Sequence, residues 1–147
     1  MDFDSVNKFI STHYRLLRKF SDKEILEINE EISQKIFIEE KEKNDVLCRV
    51  CKYNISSLDE MIEVNGSHQH TFKNPVGIVY RIRCFSSASG CMLIGAPTTA
   101  NTWFPGFSWN FALCSQCFSH LGWFYQSAQM TFFGLILENI IENPSTH

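Results

Sequence analysis

The chain has 147 residues, 44% hydrophobic and 14% aromatic, which is enough apolar material for one compact core. A net charge of −3 lacks the basic footprint that phosphate-backbone binding needs, and no run approaches the roughly 20 apolar residues of a membrane helix, so neither nucleic acid nor a membrane is an expected partner. The N-terminus, with Asp2 and Asp4, lacks the basic start and apolar run of a secretion signal, and the expected compartment is the cytoplasm or nucleus.

Charge divides the chain. Residues 1–45 hold 11 of the 16 acidic and 8 of the 13 basic residues, leaving five of each for residues 46–147. The expected organisation is a helical extension over 1–45, a β domain over 46–142 and a tail over 143–147. Val6, Phe9, Ile10, His13, Leu16, Leu17 and Phe20 recur at helical spacing and predict a helix from about Asp4 to Phe20. Ser21-Asp22-Lys23-Glu24 then has the form of a capping box, and Ile25, Ile28, Ile32 and Ile36 resume the stripe, predicting a second helix to about Lys43. Glu31–Lys35 and Glu39–Lys43 sit four apart on its outer face, worth a few tenths of a kcal/mol each.

Beyond the helices the period changes. Ile78, Tyr80, Ile82 and Cys84 alternate with Val79, Arg81, Arg83 and Phe85, the pattern of a half-buried strand, and Gly, Pro, Asn and Ser clusters punctuate the rest. An antiparallel fold of short strands follows.

Four of the six cysteines form two Cys-x-x-Cys pairs, Cys48/Cys51 and Cys114/Cys117. Each pair lets two thiolates converge from one tight turn, and together they supply the four soft ligands of a tetrahedral zinc. Such an ion closes the long loop between the pairs and leaves no open position for water, so its expected role is structural. Cys84 and Cys91 are left over, expected as buried thiols, with a bond between them as the alternative.

Trp103-Phe104-Pro105-Gly106-Phe107-Ser108-Trp109 places Pro-Gly between aromatic runs and reads as a hairpin turn. A three-residue loop, Pro105 to Phe107, pairs Trp103 with Trp109 on one face, whereas a two-residue loop points them apart. Trp123, just after the second cysteine pair, can supply a third wall, with Gly106 and Gly122 permitting close backbone approach. Composition alone leaves open whether these tryptophans fill a core or form a cage. No Asp or Glu occurs between Val64 and Leu137 while Lys73, Arg81 and Arg83 do, so a cage here suits a neutral ligand better than a cation.

The same absence of carboxylates argues against acid–base catalysis. His68, His70 and His120 have no sequence-visible nucleophile or orienting partner and are expected in surface or structural roles.

The motifs Leu47-Cys48-Arg49-Val50-Cys51, Asn74-Pro75-x-Gly77, Ile94-Gly95-x-Pro97-Thr98, Trp103-Phe104-Pro105-Gly106-Phe107-x-Trp109, Cys114-x-x-Cys117 and His120-Leu121-Gly122-Trp123 resemble the CULT domain of cereblon in order and spacing, over residues 46–142. The resemblance implies a mostly β fold, a β-tent of two antiparallel sheets pinned by a four-cysteine zinc. It also implies a pocket walled by Trp103, Trp109 and Trp123 that accepts glutarimide, thalidomide-type drugs and cyclic imide protein C-termini (degrons). By position, the backbones of Asn101 and Trp103 would pair with the imide edge, Asn74 would line the rim and Tyr125 would close the base. Position 101 is Asn where the animal pattern has His, and position 125 is Tyr where it has Phe. Cereblon also carries a Lon-like domain and a helical bundle that docks a cullin adaptor, so the resemblance brings in a non-catalytic ubiquitin-ligase substrate receptor while leaving the adaptor open. The rival readings are a β-tent enzyme of the methionine sulfoxide reductase type, which needs a reactive Cys84 or Cys91 at the pocket, and a protein-interaction domain with a vestigial pocket.

Overall fold

The structure is a computed structural model that describes residues 21–42 and 44–144, with the side chains of 37–42 outside the description. The helix expected over Asp4–Phe20, with His13, and the Glu39–Lys43 pair fall outside the described residues. The chain divides into two units, Met1–Asn44 with Pro144–His147, and Asp45–Asn143.

In the first unit, helix α1 runs from Asp22 to Glu42. Its start is the reciprocal box: Ser21 Oγ accepts from the Glu24 amide at 3.3 Å, and Glu24 Oε2 accepts from the Ser21 amide at 3.2 Å. Ile25, Ile28, Ile32 and Ile36 are half-buried while the other residues of 21–36 are exposed, the single stripe that their spacing requires. Among the described residues no helix is long and apolar enough to cross a membrane.

The second unit is built from two antiparallel sheets. The smaller has the order β2-β1-β9, with β1 Asp45–Cys48, β2 Asn54–Ser57 and β9 Ile140–Glu142. The larger has the order β3-β4-β8-β7-β6-β5, with β3 Gln69–Lys73, β4 Val79–Phe85, β5 Cys91–Thr98, β6 Ser108–Cys114, β7 His120–Gln126 and β8 Thr131–Ile136. Strand β4 begins at Val79, one residue later than the alternation suggests. Ile78 is half exposed, and its carbonyl accepts from the Asn74 amide in the β3–β4 turn.

Two apolar clusters hold the sheets. Val46, Ile55, Phe85, Leu121, Leu135 and Ile140 pack with Cys48 and Cys114 in one; Ile82, Cys84, Phe104, Trp123, Tyr125 and Phe132 lie in the other. Strand β4 feeds both: Ile82 and Cys84 enter the second cluster and Phe85 the first, so the large sheet is covered on two faces at this point. Each large apolar side chain fully buried there contributes about 1.5–3 kcal/mol. Arg83 Nη1 reaches Glu142 Oε2 at 2.6 Å and joins β4 to β9, but Arg83 Nε and Glu142 Oε1 are buried without a partner, so the pair adds little net stability.

The hairpin expected at Pro105-Gly106 is not the connection that forms. Strands β5 and β6 are joined by the longer segment 99–107, Trp109 pairs with Thr98, and Trp103 lies in the loop rather than on a strand. The local turn does form, with the Phe107 amide donating to the Phe104 carbonyl at 3.0 Å and Gly106 at φ 91°, but it sits at the loop's end instead of closing a ladder. Gly106 serves conformation alone, since a Cβ there would meet nothing within 4 Å. Gly122 is the close approach: a Cβ would collide with the Gly134 carbonyl of β8.

Candidate functional site

Both cysteine pairs occupy hairpin turns, Cys48–Cys51 between β1 and β2 and Cys114–Cys117 between β6 and β7. The turns repeat one hydrogen-bond pattern. Cys48 N donates to the Tyr53 carbonyl and Lys52 N to the Cys48 carbonyl; Cys114 N donates to the Ser119 carbonyl and Phe118 N to the Cys114 carbonyl, at 2.8 and 2.9 Å in each turn. Lys52 and Phe118, equivalent in the two turns, both adopt φ 64°. Each turn thereby points two sulfurs at the other. Cys48 Sγ lies 3.6 Å from Cys117 Sγ, Cys51 Sγ lies 3.6 Å from Cys114 Sγ, and all four fall within 4.8 Å of one another. Sulfurs around a tetrahedral ion with bonds of about 2.3 Å stand about 3.8 Å apart. The cluster therefore fits a metal ion.

Its electrostatics point the same way. The Ser119 hydroxyl, 3.0 Å from Cys117 Sγ, and the Ser119 amide hold the Cys117 thiol down to about 6. Against the lowering effect of the Tyr53 backbone, burial and the sulfurs of Cys114, Cys117 and Cys48 push Cys51 up to about 12. Four thiolates within 4.8 Å of one another would repel, a repulsion that a cation held between them offsets.

Apart from the cysteines, which do not line it, the β unit holds a cavity of about 210 Å³. The six residues singled out above, Asn74, Asn101, Trp103, Trp109, Trp123 and Tyr125, all line it, together with Pro75 and Tyr80. Strand register accounts for three of the eight lining residues: Trp109 pairs with Tyr125 and Phe111 with Trp123, so two tryptophans and the tyrosine emerge on one face of β6 and β7. Trp103 comes from the 99–107 loop and meets Trp123 edge-to-face at 4.9 Å and 77°. It also stacks on Phe72 of β3 at 5.0 Å.

The loop is anchored by Phe104, 1% exposed, whose ring packs against His70, Phe72, Tyr125 and Phe132. Trp109 Nε1 donates to the Ala100 carbonyl at 2.8 Å, tying β6 to the loop and leaving this indole to act as a wall. Asn101 adopts φ 54°, the left-handed region that Asn tolerates better than most residues. Among the described residues the Asn101 carbonyl and the Trp103 amide make no backbone hydrogen bond. Both residues line the cavity, and neither of these backbone groups is taken up by the backbone ladder. Asn74 has a second task that the sequence did not reveal: its Oδ1 accepts from the amides of Val76 and Ile78 at 3.1 and 2.8 Å, shaping the β3–β4 turn and leaving its Nδ2 as the available end.

No lining residue is charged. Tyr80 and Pro75 were the lining residues missed. Tyr80 lay on the apolar face of the predicted strand and Pro75 inside the Asn-Pro-x-Gly turn, but neither pattern distinguishes core from pocket wall.

Other candidate side chains lie apart from the cavity lining. His70 Nε2 approaches the Val64 and Ser67 carbonyls at 2.9 and 3.1 Å and props Phe104; His68 is exposed and 4.0 Å from Glu63. His120 donates from Nε2 to the Gly122 carbonyl at 3.0 Å and meets Trp123 edge-to-face at 5.0 Å, and burial pulls its pKa below the usual histidine value. Cys84 and Cys91 are free thiols that burial pushes up to about 12 in each case, with the charges of Cys114 and Cys48 adding to the shift at Cys91.

No protein-family profile matches the chain. Among curated proteins it is similar to Protein cereblon of Danio rerio, 33% identical over 84 residues, covering 56% of this chain and 20% of the relative. It is also similar to Protein cereblon of Xenopus tropicalis, 44% identical over 52 residues, covering 35% and 12%. Protein cereblon of Drosophila melanogaster is 29% identical over 105 residues, covering 65% and 18%. The similarity spans a fifth or less of each relative's length.

Proposed function

Starting from a chain that carries a cereblon-type domain, we propose that its aromatic cavity binds neutral cyclic imides, as free small molecules or as cyclic imide ends of proteins, and that the four cysteines hold a structural zinc. The observation that carries this reading is the uncharged cavity lined by three indoles and by Asn101, where the Asn101 carbonyl and the Trp103 amide have no backbone partner. An imide presents acceptor, donor and acceptor along one edge. Its N–H donates to the Asn101 carbonyl, one imide oxygen accepts from the Trp103 amide, and the methylene part of the ring fills the space between the indoles. Asn74, whose Oδ1 is occupied in its own turn, would offer Nδ2 to the second oxygen.

Zinc is the ion that suits four thiolates in tetrahedral geometry. Cys48, Cys51, Cys114 and Cys117 would hold it, and with four protein ligands its contribution is to bind the first hairpin of the unit to the β6–β7 hairpin. A thiol enzyme on this scaffold would need a reactive cysteine at the cavity. Cys84 and Cys91 are absent from its lining, and thiols pushed up to about 12 stay protonated at neutral pH. The module serves as a substrate receptor of a ubiquitin ligase, with cyclic imide protein ends as its degrons.

Titration of the zinc-loaded protein with glutarimide, followed by tryptophan fluorescence, tests the imide reading. Saturable binding that weakens at least about tenfold on N-methylation is the expected result, because the methyl group removes the donor to the Asn101 carbonyl and crowds it. Equal binding of both compounds, or of neither by a folded protein, overturns it.

A further inference from the structure

We infer that the floor of the cavity is a recognition element in its own right: the Tyr125 hydroxyl selects rings that carry a hydrogen-bond acceptor at the position opposite the imide N–H. This rests on the imide reading above. Tyr125 is only 2% exposed, yet it lines the cavity. Its ring is stacked on Phe132 at 4.9 Å and 18°, meets Phe104 edge-to-face at 4.8 Å, and presents an edge to Gly134, where an added Cβ would come within 3.2 Å of Tyr125 Cε2. Among the described residues no hydrogen bond is made to its hydroxyl. Its oxygen is not among the side-chain oxygens that the fold closes off without a partner, so the hydroxyl opens to the cavity and offers there a donor that a phenylalanine would lack. A ligand in the cavity can supply its partner. Asn101 is exposed at the mouth and Tyr125 is buried at the floor, so a ring held by its imide edge at Asn101 and Trp103 presents its far member to Tyr125.

Glutarimide places a methylene at that position, whereas morpholine-3,5-dione, a ring of the same size and the same imide edge, places an ether oxygen there. Calorimetric titration of the wild-type protein with the two compounds is expected to favour the dione by about tenfold. Tyr125→Phe, checked for metal content and melting temperature, is expected to lose that preference, the ratio of the two affinities falling to about one. The inference is overturned if the wild type shows no preference, if the preference survives Tyr125→Phe, or if Tyr80→Phe rather than Tyr125→Phe abolishes it. Failure of the wild type to bind either ring would overturn the imide reading as well, whereas binding of glutarimide with an unresponsive ratio would overturn this inference alone.

Discussion

At the cysteine cluster both halves use one device, a hairpin turn with the same two hydrogen bonds and the same left-handed residue four positions after its first cysteine. At the cavity no device repeats. Trp109 and Trp123 come from neighbouring strands, Trp103 from a loop held down by Phe104, and Asn74 from a turn on a different hairpin. A site made from one local motif used twice is written in residue spacing; a site made by convergence is visible only after the sheet has formed. The same difference governs what mutations do. A metal ligand holds remote hairpins together, whereas a wall residue is expendable to the fold unless it also belongs to the core.

Cys48→Ser should have the largest effect. The apparent folding energy supplied by a structural zinc is on the order of 10 kcal/mol, so losing one ligand is expected to abolish stoichiometric metal binding and unfold the β unit, read together by metal analysis and circular dichroism. A folded, metal-free variant would make the two regions alike and break the comparison. Next come the two tryptophans that meet at 4.9 Å. Trp123 is 7% exposed and sits in the second cluster, so Trp123→Ala is expected to cost about 3–5 kcal/mol in urea denaturation. Trp103 is half-buried in a loop, and Trp103→Ala should lose imide binding while keeping the metal and most of the stability.

Gly106→Ala should cost about 1 kcal/mol, because φ 91° is the only demand at that position and nothing lies within 4 Å of the added methyl. The smallest effect concerns pH. Burial lowers the His120 pKa in the fold, so the neutral ring is the stabilised form. That contribution is complete above the ordinary histidine value and is lost as pH falls from there toward the lowered one. Comparison of His120→Gln with the wild type across that window, in chemical denaturation with metal retained, should show a shallower loss in the variant.

Much of this was legible in advance. The capping box, the isoleucine stripe and the four-cysteine cluster follow from spacings of three and four residues, over which chain geometry leaves little freedom. The Pro105-Gly106 turn was legible but its use was not. Dipeptide chemistry sets the turn, while the anchoring of Phe104 beneath it, which decides that 99–107 is a loop, depends on His70, Phe72, Tyr125 and Phe132 from three other strands. Asn101 shows another limit: the backbone conformation that suits Asn at that position became apparent only once the loop was in place.

The chain contains three tryptophans, so its indole N–H resonances form a three-signal report on the cavity. Titration of the 15N-labelled, zinc-loaded protein with glutarimide should move the signals of Trp103, Trp109 and Trp123 together along one saturation curve, with N-methylglutarimide producing no saturable shift at the same concentrations. Signals that stay fixed, or that respond equally to both compounds, would contradict the cavity's assignment as an imide cage.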